Sequence, residues 1–193
     1  MHFKFSKSLD YQLEAIKAVV EVFDTGKNML QQEGIFEMQS VSKIISNSLD
    51  VTTDRLLGNI QTIQKKNKID PVISSLDSMD FSIEMETGTG KTYVYLRTLL
   101  ELSQKYGLKK FIILVPSVAI REGVIKTISQ LKGHFEELYG VDITKSAFAY
   151  DSEKLTRVRL FGQADHLQIM IMTIQSFNSD NKVLKQNNRD DSY

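Results

Sequence analysis

The chain has 193 residues, 24 basic and 24 acidic side chains, 41% hydrophobic residues and no cysteine. This is the composition of an ordinary globular domain, and it excludes disulfides, thiolate metal sites and thiol nucleophiles. No apolar run approaches the roughly 20 residues of a membrane span, and the opening Met1-His2-Phe3-Lys4-Phe5-Ser6-Lys7 lacks the apolar core of a signal peptide. A cytoplasmic protein with no membrane partner is therefore expected. Zero net charge excludes a broadly basic nucleic-acid surface but leaves room for a local track.

In chain order, Leu9, Leu13, Ile16, Val20 and Phe23 recur at steps of three and four, which predicts an amphipathic helix carrying Gln12 and ended by Gly26. From Lys27 to Pro71 the pattern weakens into Gln-, Ser-, Asn- and Lys-rich sequence and reads as an insertion. It holds one predicted helix, 53–66, with Leu56, Leu57, Ile60 and Ile63 on a shared face. Phe81 to Met85 is predicted as a strand, and Lys91 to Tyr106 as a helix ended by Gly107.

Between them lies Met85-Glu86-Thr87-Gly88-Thr89-Gly90-Lys91-Thr92. Glycines at 88 and 90 let the backbone turn its N–H groups inward around phosphates. Lys91 can then reach the β and γ phosphates, Thr92 can offer its hydroxyl to Mg²⁺, and the helix N-terminus adds partial positive charge. The expectation is an ATP site with Thr87, Gly88, Thr89, Gly90, Lys91 and Thr92 in contact with the nucleotide, and Lys91 and Thr92 in the catalytic role. The alternative is a Gly-Thr turn that happens to precede Lys-Thr on a helix. The strict loop pattern would put glycine at position 85, where this chain has methionine, a form associated with superfamily-2 helicases and translocases.

Phe111-Ile112-Ile113-Leu114-Val115, closed by Pro116, is predicted as a strand covered on both faces of a parallel sheet. A helix follows over 118–138, then a short strand over 146–150, a helix over 153–161 and a second apolar strand over 168–174. This alternation predicts one α/β domain over 1–193, with right-handed crossovers, helices on both faces of a parallel sheet and ligands at the strands' carboxyl ends. The polar tail 178–193 has no apolar periodicity and is expected to be loosely ordered. Pro116 and Ser117 end a strand and open a helix. That geometry either caps the helix or aims backbone N–H groups and a hydroxyl at a nucleic-acid phosphate, with Arg121 one turn later. Thr173, Gln175 and Ser176 hold the equivalent place after the later strand. His2, His134 and His166 show no metal-ligand spacing.

Four segments give the chain a resemblance to the restriction (Res) subunit of type III restriction-modification systems, in the N-terminal part of its superfamily-2, DEAD/DEAH-like motor domain. They are Leu9 to Gln12, Glu84 to Thr92, Phe111 to Val124, and Ile169 to Phe177. The resemblance implies a P-loop NTPase, RecA-like fold of three α/β/α layers, an incomplete first motor domain, and ATP and Mg²⁺ as cofactors. It makes Gln12 the adenine-reading residue, whose carboxamide can pair with N6 and N7. It places Pro116, Ser117, Arg121, Thr173, Gln175 and Ser176 on a DNA backbone. Duplex DNA and the methyltransferase (Mod) subunit are the implied partners, and DNA movement would precede cleavage by a C-terminal nuclease. Hydrolysis in this group needs an Asp-Glu pair ending a strand. Glu136-Glu137 falls in a predicted helix and Asp190-Asp191 in the polar tail, so the chain is expected to be an N-terminal piece that does not turn ATP over alone. Another superfamily-2 DNA or RNA helicase, and a P-loop phosphotransferase, remain as alternatives.

Overall fold

The computed structural model describes residues 9–26 and 44–179. His2, Phe3, Phe5, Asp190-Asp191, the segment 27–43 of the expected insertion and the tail from 180 onward lie outside the described residues. The elements are α1 (Asp10–Val22), α2 (Thr53–Lys66), α3 (Lys91–Tyr106), β1 (Lys110–Val115), α4 (Val118–Tyr139), α5 (Ile143–Ser146), β2 (Ala147–Ala149), α6 (Leu155–Gln163), β3 (Gln168–Thr173) and α7 (Ile174–Ser179). The chain, expected as one domain, divides into two compact units. Among the described residues one comprises 9–26 and 47–108, the other 44–46 and 109–179.

The first unit is built by α1, α2 and α3. Ile16 and Val20 of α1 are buried, as are Val94, Leu96 and Leu100 of α3, and the Tyr106 hydroxyl donates to the Val20 carbonyl at 2.9 Å. Thr52 caps α2 by accepting from the Arg55 N–H. The apolar face read from the sequence then packs Leu56 and Ile60 against Val22, with Phe23, Val51, Ile63, Ile73 and Leu76 around them. Asn59 reinforces this contact, donating to the carbonyls of Val22 (3.0 Å) and Asp24 (2.9 Å), the orphan acceptors at the end of α1. The described part of the expected insertion thus shares a hydrophobic core with α1.

Phe81 to Met85 corrects the sequence reading. It has an extended-strand composition, yet no strand forms there among the described residues. A strand exists only through its ladder, and the unit containing this segment supplies helices. Phe81 instead meets Phe23 edge-to-face at 6.1 Å between centroids, while Ile83 is exposed.

The second unit holds a parallel sheet in the order β1-β3-β2. Central β3 is buried from Ile169 to Thr173. Met170 and Met172 share one face with Phe148 and Tyr150, under Val158 and Phe161 of α6. Ile169 and Ile171 point to the opposite face by the alternation of a strand, where α4 and α5 pack with Leu131, Phe135 and Ile143 fully buried. Helices therefore cover both faces, giving the three expected layers within this unit. Each such side chain contributes about 1.5–3 kcal/mol by leaving water.

On β1 the expectation of cover on both faces fails. Ile112 and Leu114, in register with Met170 and Met172, are 51% and 47% exposed. At the start of β1 the Lys110 ammonium lies over the Phe161 ring of the nine-residue α6 and donates to the Ala164 carbonyl. Asp142 caps α5, accepting from the Thr144 N–H and hydroxyl and from Lys132 at 2.9 Å. Those bonds, the Thr144 hydroxyl first, hold its carboxyl down to a pKa of about 2.

Candidate nucleotide site and nucleic-acid interface

The octapeptide folds as an exposed turn that runs directly into α3. Gly88 and Gly90 have φ of 82° and 85°, the left-handed region in which a side chain is disfavoured. The Thr89 hydroxyl donates to the Glu86 carbonyl at 2.7 Å and closes the turn. Gly90 is the residue before α3, so Lys91 and Thr92 fall in its first turn, where N–H groups have no helical acceptor. Lys91 is exposed. Thr92 hydrogen-bonds Tyr95; burial raises the Tyr95 phenol above its ordinary pKa, and the bond to Thr92 partly offsets this.

Gln12 is brought to this loop from α1. It is 7% exposed, and its Nε2 donates to the Thr89 carbonyl at 2.8 Å. The approach is close enough that a Cβ at Gly90 would lie 2.6 Å from that nitrogen, whereas one at Gly88 would meet open space. A carboxamide carries two N–H donors and an acceptor oxygen. Holding Thr89 spends one donor, so the same side chain can tether the loop and still read a base edge. An open turn with two left-handed glycines, a lysine and a hydroxyl at a helix N-terminus fits a polyphosphate with its cation.

In the sheet unit, Ser117 caps α4, accepting from the Ile120 N–H at 3.3 Å, with Pro116 exposed before it. Arg121 donates twice to the Glu122 carboxylate, at 3.0 and 3.2 Å. Thr173 is 3% exposed, and its hydroxyl accepts the Ser176 N–H at 3.1 Å and lies 2.9 Å from the Ser176 hydroxyl. Its oxygen therefore fixes the first turn of α7, and Ser176 and exposed Gln175 are the members of that trio placed to reach outward. Of the six residues expected on nucleic acid, Arg121 and Ser176 line one cleft of about 340 Å³. Pro116, Ser117, Thr173 and Gln175 are not part of its lining. The other walls are Ala149 to Ser152, Lys154 and Arg157, which sequence reasoning passed over. The available signal was their place after a short strand in a parallel sheet, at the end where ligands bind.

A glycine turn opening a helix and a parallel sheet between helical layers are features of the P-loop, RecA-like class of α/β protein. The chain belongs to the family of the type III restriction enzyme res subunit, which matches residues 6–193. It is 31% identical over 156 residues to the type III restriction-modification enzyme EcoPI Res subunit of Escherichia phage P1, covering 79% of this chain and 15% of that protein. With the EcoP15I Res subunit of Escherichia coli it shares 30% identity over 141 residues, 71% of this chain and 14% of the relative. With the StyLTI Res subunit of Salmonella typhimurium it shares 49% over 65 residues, 33% of this chain and 7% of the relative. The chain thus spans about 15% of the length of the first of these relatives. No described helix is long and apolar enough to cross a membrane.

Proposed function

We propose that this chain is the ATP-binding part of a type III restriction subunit that couples ATP hydrolysis to movement along duplex DNA, in complex with a Mod subunit and ahead of cleavage by a nuclease elsewhere in the protein. The observation that carries this reading is the Gly88–Gly90 turn opening α3 with Gln12 tied to the Thr89 carbonyl, in a chain of this family.

Each residue then has a task. The amides of Thr87 to Gly90 bind phosphate oxygens, and Lys91 neutralises charge that builds between the β and γ phosphates as the terminal bond breaks. Thr92 would hold Mg²⁺, which supplies electrostatic stabilisation of the transferring phosphoryl group. Gln12 reads adenine with its remaining donor and acceptor. Ser117, Arg121, Gln175 and Ser176 hold the DNA backbone at the strand ends, with Pro116 and Thr173 fixing the turns that carry them. Because binding is to phosphates and not base edges, DNA sequence is read elsewhere, consistent with a separate Mod partner.

The test is steady-state phosphate release by the full-length protein with its Mod subunit. Addition of duplex DNA is expected to raise the rate at least tenfold. Hydrolysis indifferent to DNA would leave an ATPase without a motor and contradict the proposal.

A further inference from the structure

We propose that the cleft between Arg121, Ser152, Lys154, Arg157 and Ser176 seats a phosphate of the nucleic-acid backbone, with Arg157 as its principal ligand. The inference rests on the DNA-tracking reading above and extends it to a segment, 151–157, that reading does not use.

The cleft lies where the parallel sheet sends its ligands. Tyr150 to Lys154 leave the carboxyl end of β2, Ser176 follows the carboxyl end of β3, and Arg121 stands in the first turns of the helix after β1. Three cations line it against one carboxylate, Asp151. Asp151 is committed to Lys154 at 3.0 Å, a contact that holds its pKa below the usual carboxylate range, and Arg121 is committed to Glu122. Arg157 differs from both. Among the described residues it pairs with no carboxylate, and its guanidinium carbon lies 5.1 Å from the centroid of the Phe148 ring. Phe148 is fixed in the buried cluster with Tyr150, Met170 and Met172. An arginine stacked on a packed ring keeps its planar N–H edge for a two-point acceptor, and the two non-bridging oxygens of a phosphodiester are such an acceptor.

Two further features agree. Lys154 occupies the cap position of α6, which has no side-chain cap and no acidic residue in its first turn. Cations gathered at the positive end of a helix repel it, and an anion between them relieves that. A volume of about 340 Å³ admits a phosphate with its flanking sugars, and the lining shared with Arg121 and Ser176 makes the cleft continuous with the expected backbone contacts.

The experiment is fluorescence anisotropy of a labelled duplex with the full-length protein, titrated at several salt concentrations. Arg157→Gln is expected to weaken binding about tenfold on any sequence and to lower the salt slope by about one. Arg157→Lys keeps the charge and loses the fork, so it is expected to weaken binding about threefold with the slope unchanged. Arg159→Gln, exposed on the same helix and outside the cleft, is expected to change affinity less than twofold. ATP affinity should be the same in all three. Equal losses from Arg157→Gln and Arg159→Gln, or no loss from Arg157→Gln, overturn the inference while leaving the motor reading intact. If the wild-type protein binds ATP but no duplex, both fall together. Should Arg157→Gln fail to fold, the Arg157→Lys pattern decides the matter.

Discussion

Lys91→Ala is expected to reduce DNA-dependent ATP hydrolysis by the full-length protein about 10²- to 10³-fold, the size of effect seen when one preorganised donor to developing transition-state charge is removed. The expectation has a second half that separates chemistry from folding. Lys91 is exposed and lies in the first turn of α3, a cation at the positive end of a helix. Replacing it with alanine removes no packing, improves helix propensity and relieves an unfavourable interaction with the helix dipole. The melting temperature should therefore stay the same or rise slightly as turnover collapses. Turnover retained in the variant would remove Lys91 from the mechanism. Turnover and melting temperature lost together would point to a structural role that its exposure does not suggest.

Gly90→Ala should be the most damaging single-methyl change in the nucleotide site. At φ of 85° an alanine costs about 1–2 kcal/mol in backbone energy. Its Cβ, 2.6 Å from Gln12 Nε2, must also displace that amide and break the 2.8 Å bond to the Thr89 carbonyl. A buried amide that loses its partner costs a further ~1–3 kcal/mol. Gly88→Ala is the internal control, because φ there is 82° and the space around the new Cβ is open, leaving only the backbone cost. In urea melts Gly90→Ala should be the more destabilised of the two, and adding Gln12→Ala should cost less in the Gly90→Ala background than in the wild type. Equal destabilisation by the two glycine substitutions, with Gln12→Ala additive to Gly90→Ala, would mean that the glutamine does not brace the loop.

Much of the architecture was legible in the sequence wherever the signal was local. The apolar face of α2 marked a helix over 53–66, and Gly107 closed α3 because a left-handed glycine ends a helix. The left-handed turn at Gly88 and Gly90 could be read from eight residues because it is set by the backbone freedom of those two glycines. What failed depended on neighbours distant in sequence. Phe81 to Met85 has strand composition, but a strand needs a partner, and composition does not supply one. The exposure of Ile112 and Leu114 depends on what packs against β1, which the strand's own residues do not encode. Gln12 was singled out, yet its bond to Thr89 joins positions 77 residues apart. The cleft was invisible for the same reason. Asp151 to Arg157 carries no motif, and its cations acquire meaning only when β2 is laid beside β3.

These separations also explain why the family match adds to the geometry. The turn and lysine fit a polyphosphate. The match over residues 6–193 ties that turn to restriction subunits far longer than this chain.

The most direct test of the central claim, that residues 87–92 cradle the phosphates of ATP, is amide hydrogen exchange with and without MgATP. The expected result is slowed exchange across 87–92 and at the start of α3, extending to the Gln12 segment through its bond to Thr89, with the amides of α4 unchanged. Unaltered exchange over 87–92 at saturating MgATP, or protection confined to another segment, would contradict it.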